Sequence, residues 1–154
     1  MPKVLTERRG SVLVLTLNNP EQYNALAGSL LDELNAALDS AFADDSVRAI
    51  LLTGAGKGFC SGAQLGGDAF NAGERVASLL REQVSPLIEK MRGGDKPIVV
   101  AVNGPAAGAG VGIALAGDVV IAARSARCML SFVRLGAALD AGTSLFLQRS
   151  IGIA

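Results

Sequence analysis

Apolar positions change their spacing along the chain, and the changes mark its elements. Residues 2–9 and 11–18 read as two strands around Gly10, the second carrying the apolar and β-branched run Val12-Leu13-Val14-Leu15-Thr16-Leu17. Asn18-Asn19-Pro20-Glu21 has turn chemistry. Leu30, Leu31, Leu34, Ala37, Leu38, Ala41 and Phe42 recur at three-to-four spacing, which predicts an amphipathic helix over 29–43. Ser29 with Asp32 resembles a capping box in which Asp replaces the usual Glu. Ala49-Ile50-Leu51-Leu52-Thr53 is a short apolar run, expected of a parallel strand covered on both faces. A loop with six glycines follows from Gly54 to Gly67. Val76, Leu79, Leu80, Val84, Leu87, Ile88 and Met91 return to helical spacing; Pro86 should kink or divide that helix, and Gly93-Gly94 should end it. Residues 97–102 predict a buried strand, Asn103-Gly104-Pro105 a turn, 108–116 a helix of small residues, 118–123 a strand and 141–149 a last helix. The order β-α-β-α-β-α-β points to an α/β domain with a largely parallel sheet.

The stretch from Pro97 to Gly117 carries no charge and is long enough to cross a membrane. A turn at Asn103-Gly104-Pro105 would leave backbone groups unpaired in lipid, so a buried strand, turn and helix is the expectation. The chain has 154 residues, enough for one domain over 1–154 with its own core. Fourteen basic residues balance fourteen acidic ones, so neither a nucleic acid nor a membrane is expected as a partner. The charged start Met1-Pro2-Lys3-Val4-Leu5-Thr6-Glu7-Arg8-Arg9 lacks the apolar core of a signal peptide, and a cytoplasmic location is expected.

Candidate chemistry is narrowed by what is missing. There is no histidine, which removes Ser-His-Asp and Cys-His nucleophiles and His-based zinc sites. Cys60 and Cys128 have no metal-ligand spacing and are expected to be buried free thiols, with no metal bound. Gly54-Ala55-Gly56-Lys57-Gly58-Phe59 is not a P-loop, because Gly58 stands where Ser or Thr is needed. Gly108-Ala109-Gly110-Val111-Gly112-Ile113 is not a dinucleotide fingerprint, because its sixth residue is Ile113. Two strand–glycine–helix junctions remain, one after Thr53 and one after Val102. If their strands share a parallel sheet, both loops lie at its carboxyl edge, where ligands bind. There the glycines would either bring unpaired backbone N–H groups to a ligand or serve close packing alone.

The residues along this path resemble the crotonase (enoyl-CoA hydratase/isomerase) superfamily over nearly the whole chain. The resemblance runs through Leu17-Asn18-Asn19-Pro20-Glu21 and Asn24-Ala25-Leu26, then Val47 to Ala63 with Gly54-Ala55-Gly56-Lys57-Gly58-Phe59-Cys60-Ser61-Gly62-Ala63. It continues through Lys96-Pro97-Ile98-Val99-Val100-Ala101-Val102-Asn103-Gly104-Pro105 to Gly110 and Asp118-Val119-Val120-Ile121-Ala122-Ala123. It implies a ClpP/crotonase-like spiral of ββα units and an acyl-CoA or enoyl-CoA thioester as substrate, with coenzyme A part of that substrate and no separate cofactor. The family's two oxyanion-hole amides fall on Ala63 and Ala109. Ala25, Ser61, Gly62, Gln64, Leu65 and Gly108 match segments that line the CoA site.

The resemblance also sorts the possible reactions. The hydratases' two glutamates match Gly112 and Phe132, and neither can carry a proton. Leu135-Gly136-Ala137-Ala138-Leu139-Asp140-Ala141-Gly142-Thr143-Ser144 resembles the segment in which some members, including ring-opened phenylacetate-pathway isomerases, carry a catalytic aspartate. Asp140 falls on that position, among apolar neighbours that would raise its pKa. Read without the resemblance, Asp140 is expected first as an N-cap for the helix at 141–149, which would favour its charged form, and only second as a catalytic acid. Asp118 is expected to begin a strand. Gln22 and Tyr23 stand where members often have a basic residue near the CoA phosphates, a contact left to Lys57 or another residue. Gln64 and Leu139 replace a common aspartate and a common proline.

The leading expectation is an enoyl-CoA isomerase-like enzyme in which Asp140 shuttles a proton and the amides of Ala63 and Ala109 hold the enolate. The alternatives are an enoyl-CoA hydratase or other crotonase reaction, and a fragment or pseudo-enzyme that binds CoA thioesters without turnover. Members usually continue into C-terminal helices that close the site and build trimers or hexamers. That helical region is expected to be missing after Ile151-Gly152-Ile153-Ala154, leaving apolar surface exposed in a chain that would otherwise form a homo-oligomer.

Overall fold

The computed structural model describes residues 1–27, 29–63 and 77–152. Strands β1 (Val4–Arg9) and β2 (Val12–Leu17) form an antiparallel hairpin that turns at Gly10, whose φ of 60° lies in the left-handed region. Helix α1 (Leu30–Ala43) then crosses to strand β3 (Ala49–Gly54), which pairs parallel with β2. Helix α2 (Ser85–Gly93) leads into strand β4 (Ile98–Val102), parallel to β3 with Leu52 beside Val100. Strand β5 (Ala106–Ala107) and helix α3 (Ala109–Leu115) precede strand β6 (Val119–Ala122), parallel to β4. Strand β7 (Cys128–Met129) and helix α4 (Thr143–Ile151) follow. The main sheet has the order β1-β2-β3-β4-β6. The predicted element order and largely parallel sheet are both present, and the uncharged stretch at 97–117 is β4, a turn, β5 and α3.

Leu15, Leu17, Ile50, Leu52, Ile98 and Val100 all bury against Leu30, Leu31, Leu34 and Leu38 of α1 and Leu87 and Met91 of α2. Burial of such a side chain stabilises by roughly 1.5–3 kcal/mol. The other sheet face is less covered than expected, since Ala49, Leu51 and Thr53 on β3 are half-buried. β6 is exposed along its length, with Val119, Val120 and Ile121 all open.

Three local expectations change. Ser29 does not pair with Asp32, and no side chain caps α1. Its hydroxyl donates to Glu33 Oε1 at 2.6 Å, while Glu33 Oε2 accepts the N–H groups of Lys3 at 2.6 Å and Val4 at 3.0 Å. Glu33 therefore ties the start of α1 to the start of β1. The helix expected over 76–91 is divided: a π-helix at Leu80–Val84 gives way to α2, where Pro86 occupies the first turn. An N–H is not needed there, so proline begins this helix without disrupting it. Val76 lies outside the described residues. The small parallel sheet β5–β7, joined by bridges Cys60–Ala106 and Leu26–Ala63, carried no sequence signal, because two-residue strands have no period to read.

Asp118 precedes β6, as expected, and holds the sheet together. Its Oδ2 accepts the Ile98 N–H at 2.9 Å and its Oδ1 faces Arg92 at 3.2 Å. Among the described residues, no helix is long and apolar enough to cross a membrane.

Candidate active site

Because β3 and β4 are parallel neighbours, the loops that follow them leave the same sheet edge. Two buried or half-buried asparagines knit those loops together. Asn103 Oδ1 accepts the Gly54 N–H at 3.1 Å, and its Nδ2 donates to the carbonyls of Gly56 and Gly58 at 3.1 Å. Asn24 is fully buried, accepts the Asn19 N–H at 2.8 Å, and donates to the carbonyls of Ala55, Gly58 and Phe59 at 3.0 Å. Backbone bonds from Phe59 to Pro105 and from Ala107 to Cys60, both 2.9 Å, bring the two loops side by side.

Gly62 and Gly108 sit where the loops meet, both at positive φ, 79° and 51°. A Cβ at Gly62 would lie 2.5 Å from the Ala107 carbonyl oxygen and 3.3 Å from the Ala109 nitrogen. Only glycine lets these backbones approach so closely. The Gly62 carbonyl accepts the Leu26 N–H at 2.8 Å, and the Gly108 N–H donates to Met129 at 2.9 Å. The amides of Ala63 and Ala109, the next residue on each loop, have no acceptor among the described residues. Ala63 is exposed and Ala109 opens α3. Two unpaired N–H groups on touching loops are the raw material of an oxyanion hole. The glycines allow close packing throughout: Gly104 packs on the Lys57 carbonyl and Gly110 on Cys60, while Gly62 lies against the Ala107 carbonyl and the Ala109 nitrogen.

The remaining CoA-site candidates divide. Ser61 donates its N–H to Tyr23 at 2.9 Å and its hydroxyl to the Gln22 carbonyl at 3.1 Å, so it fastens the loop to the Pro20–Gln22 turn. Ala25 is buried beside it. Gln64 and Leu65 lie outside the described residues. Lys57 is exposed on the loop after β3.

Asp140 does not cap a helix. α4 begins at Thr143 with Gly142 in the capping position, later than the predicted start at 141. What Asp140 contributes to the turn is its backbone carbonyl, which accepts the Thr143 N–H at 2.9 Å and the Thr143 hydroxyl at 2.7 Å. Its side chain is half-buried, and Oδ1 is buried with no hydrogen-bond partner among the described residues. Burial pushes this carboxyl above the ordinary aspartate range. The next residue, Ala141, packs on Gly112 of α3, where a Cβ would lie 2.5 Å from the Ala141 Cβ. Gly112 is one turn along the helix from Ala109 and on the same face. The turn that carries Asp140 is thus seated on α3 one helical turn from Ala109, by a fold contact that no sequence spacing announced.

Phe132 lies in a short 3-10 helix, Phe132–Leu135, with its ring 3.9 Å from a Cβ built on Gly108, so it supplies an apolar wall. Thr143, fully buried, was missed by sequence reasoning, as was the role of Asn24. Cys60 is buried as expected and its thiol is pushed up to about 12 by burial. Cys128 is exposed, against expectation, because both residues of β7 lie open although the strand pairs with the more buried β5. Among the described residues, no cluster of acidic or cysteine side chains has metal-binding geometry.

Comparison with known proteins agrees with this architecture. The chain is 47% identical over 141 residues to a "Probable enoyl-CoA hydratase" of Rhodobacter capsulatus, covering 92% of this chain and 54% of the relative. It is 38% identical over 155 residues to the 1,2-epoxyphenylacetyl-CoA isomerase of Escherichia coli, covering 99% and 59%. The enoyl-CoA hydratase structure from Bacillus anthracis superposes with a TM-score of 0.93 at 32% identity, covering 99% of this chain and 60% of that one. The chain thus spans a little over half the length of these relatives. The sequence model of the enoyl-CoA hydratase/isomerase family matches residues 7–154. Matching sequence, matching fold and an α/β core of the crotonase type agree: this chain belongs to the enoyl-CoA hydratase/isomerase family.

Proposed function

We propose that this chain forms the core of an enoyl-CoA isomerase-like enzyme that moves a double bond in a CoA thioester. The observation that carries the reading is Asp140, a half-buried carboxylate with an unpartnered oxygen, packed through Ala141 against the same face of α3 that begins at Ala109. The N–H groups of Ala63 and Ala109 receive the thioester oxygen. The Asp140 carboxylate takes a proton from the carbon between a 3,4-double bond and the thioester carbonyl. The C–H electrons pass into the conjugated system, and negative charge grows on the thioester oxygen. The protonated Asp140 then returns the same proton to the far alkene carbon, leaving a 2,3-double bond and no net change in atoms or electrons. Each oxyanion donor contributes about 3–4 kcal/mol of transition-state stabilisation, and the proton shuttle about 10²–10⁴-fold in rate. A carboxyl with a raised pKa is a weaker acid and a better match to both proton transfers near neutral pH.

The hydratase names of several relatives favour a second reading, addition of water to a 2-enoyl thioester. It is less well supported, because Gly112 and Phe132 occupy the positions that match the hydratases' acids. The exposed apolar surface of β6 supports assembly into a homo-oligomer. Product analysis with 3-enoyl and 2-enoyl thioesters separates isomerisation from hydration. Asp140→Asn is expected to abolish isomerisation while leaving acyl-CoA binding intact; unchanged turnover removes Asp140 from the mechanism.

A further inference from the structure

We propose that Gly112 is a positioning residue: its missing side chain is the seat on which Ala141 rests, and this seat, closed by Thr143, sets the placement of the Asp140 carboxyl relative to the Ala109 amide that opens α3. The inference rests on the isomerase reading above and deepens it.

Three observations meet at this seat. A Cβ at Gly112 would run into the Ala141 carbonyl oxygen, and would lie 2.5 Å from the Ala141 Cβ and 3.1 Å from its carbonyl carbon. The obstruction is backbone as well as methyl, so it cannot rotate away as the end of a flexible side chain could. Ala141 also has φ of 49°, a left-handed conformation rare for a residue with a Cβ. Such a conformation persists where the surroundings over-determine it. Here the surroundings are Gly112 on one side and Thr143 on the other, since Thr143 donates both its N–H and its hydroxyl to the Asp140 carbonyl. Thr143 is itself fully buried, so its hydroxyl has one fixed task. The 140–143 turn is therefore gripped at both ends, and the side chain it presents is the half-buried carboxyl with the unpartnered oxygen.

Position 112 accordingly is not a vacancy left by a lost glutamate. The space a side chain would enter is filled by the turn that carries Asp140. A carboxylate at 112 and the present placement of Asp140 exclude one another, so Gly112→Glu does not install a second acid beside the first.

The test compares Gly112→Ala, Thr143→Val, Thr143→Ser and Asp140→Asn, measuring 3-enoyl-CoA isomerisation, acyl-CoA affinity and circular dichroism. Displacement of a reacting group by about 1 Å typically costs on the order of 100-fold in rate. Gly112→Ala is therefore expected to lower kcat about 100-fold, with acyl-CoA affinity close to wild type. Thr143→Val is expected to lower kcat at unchanged affinity, and Thr143→Ser, which retains the hydroxyl, to restore it. A Gly112→Ala protein with wild-type kcat, or one whose affinity falls in step with kcat, overturns the proposal. If Gly112→Ala does not fold, the threonine pair decides: equal kcat in Thr143→Val and Thr143→Ser overturns it. Activity in Asp140→Asn refutes the isomerase reading itself, whereas an inactive Asp140→Asn beside a fully active Gly112→Ala refutes only the seat.

Discussion

Replacing Asp140 with Asn should remove activity and raise stability together. In the native structure, Asp140 Oδ1 is buried without a partner among the described residues, and burial lifts the carboxyl pKa. A buried acceptor left unsatisfied costs about 1–3 kcal/mol, and more when it is an ionised carboxylate than when it is the neutral amide of asparagine, so the difference favours the variant. The side chain is partly open to water, which screens part of that cost, so the lower end, about 1 kcal/mol, applies. For a domain of this size, about 1 kcal/mol corresponds to roughly 2–4 °C in Tm. The sign follows from linkage: between the unfolded and the raised folded pKa, the native state holds more protons than the unfolded state. Stability attached to this group is thus greatest below the unfolded pKa and falls as pH rises through the folded one. Asparagine does not ionise, so the variant should melt higher than wild type at pH 7, with the gap closing in acid, below about pH 4. Thermal unfolding by circular dichroism at several pH values, alongside isomerase assays, measures both arms. A variant that melts lower than wild type at neutral pH would show that the ionised carboxylate makes stabilising bonds, and would refute the account of an unpartnered acid held in place for chemistry.

Asn24→Ala strips the fully buried amide that joins the Pro20 turn to the Gly54–Phe59 loop, taking a partner from the Asn19 N–H and from the Ala55 and Phe59 carbonyls, while Gly58 keeps its bond from Asn103. A loss of about 3 kcal/mol is expected, read as a lower urea midpoint at an unchanged slope; a loss below about 1 kcal/mol would mean water replaces the amide. The native protein should react with a thiol reagent at the exposed Cys128 but not at Cys60, whose thiol is pushed up to about 12, and mass spectrometry after labelling at pH 8 distinguishes one adduct from two. Glu33 is held below the ordinary glutamate range, first by the Ser29 hydroxyl and then by the β1 backbone. Its folded pKa is depressed, so its contribution is present above the unfolded pKa and is lost as pH falls through the folded one. Glu33→Gln should therefore flatten the acid limb of the stability curve, and an unchanged acid midpoint would count against this anchor.

How much was legible in advance varied with the range of the interaction. The hairpin at Gly10, α1, the two buried strands and the uncharged strand–turn–helix were all readable, because each pattern is imposed by local burial repeating along one element. The capping box at Ser29 was misread because Glu33, one residue beyond Asp32, is the residue that reaches both the Ser29 hydroxyl and the β1 backbone. The exposure of Cys128 and the strand pair β5–β7 were illegible because two residues cannot display a period.

By itself the sequence determined the family, through a series of motifs in family order, and the missing histidines narrowed the chemistry to consider. It also named Ala63, Ala109 and Asp140 as the residues to watch, through the resemblance. Only the tertiary structure decided what surrounds them. Gly62 touches the Ala109 backbone because β3 and β4 are parallel neighbours and release their loops at one edge. Asp140 is an unpartnered acid and not a helix cap because α4 starts at Thr143, and because Ala141 finds room on Gly112. Residue type and spacing report the local demand for burial and turning. They do not report which backbones approach one another, and it is that approach that sets Gly62 against the Ala109 backbone and Ala141 against Gly112.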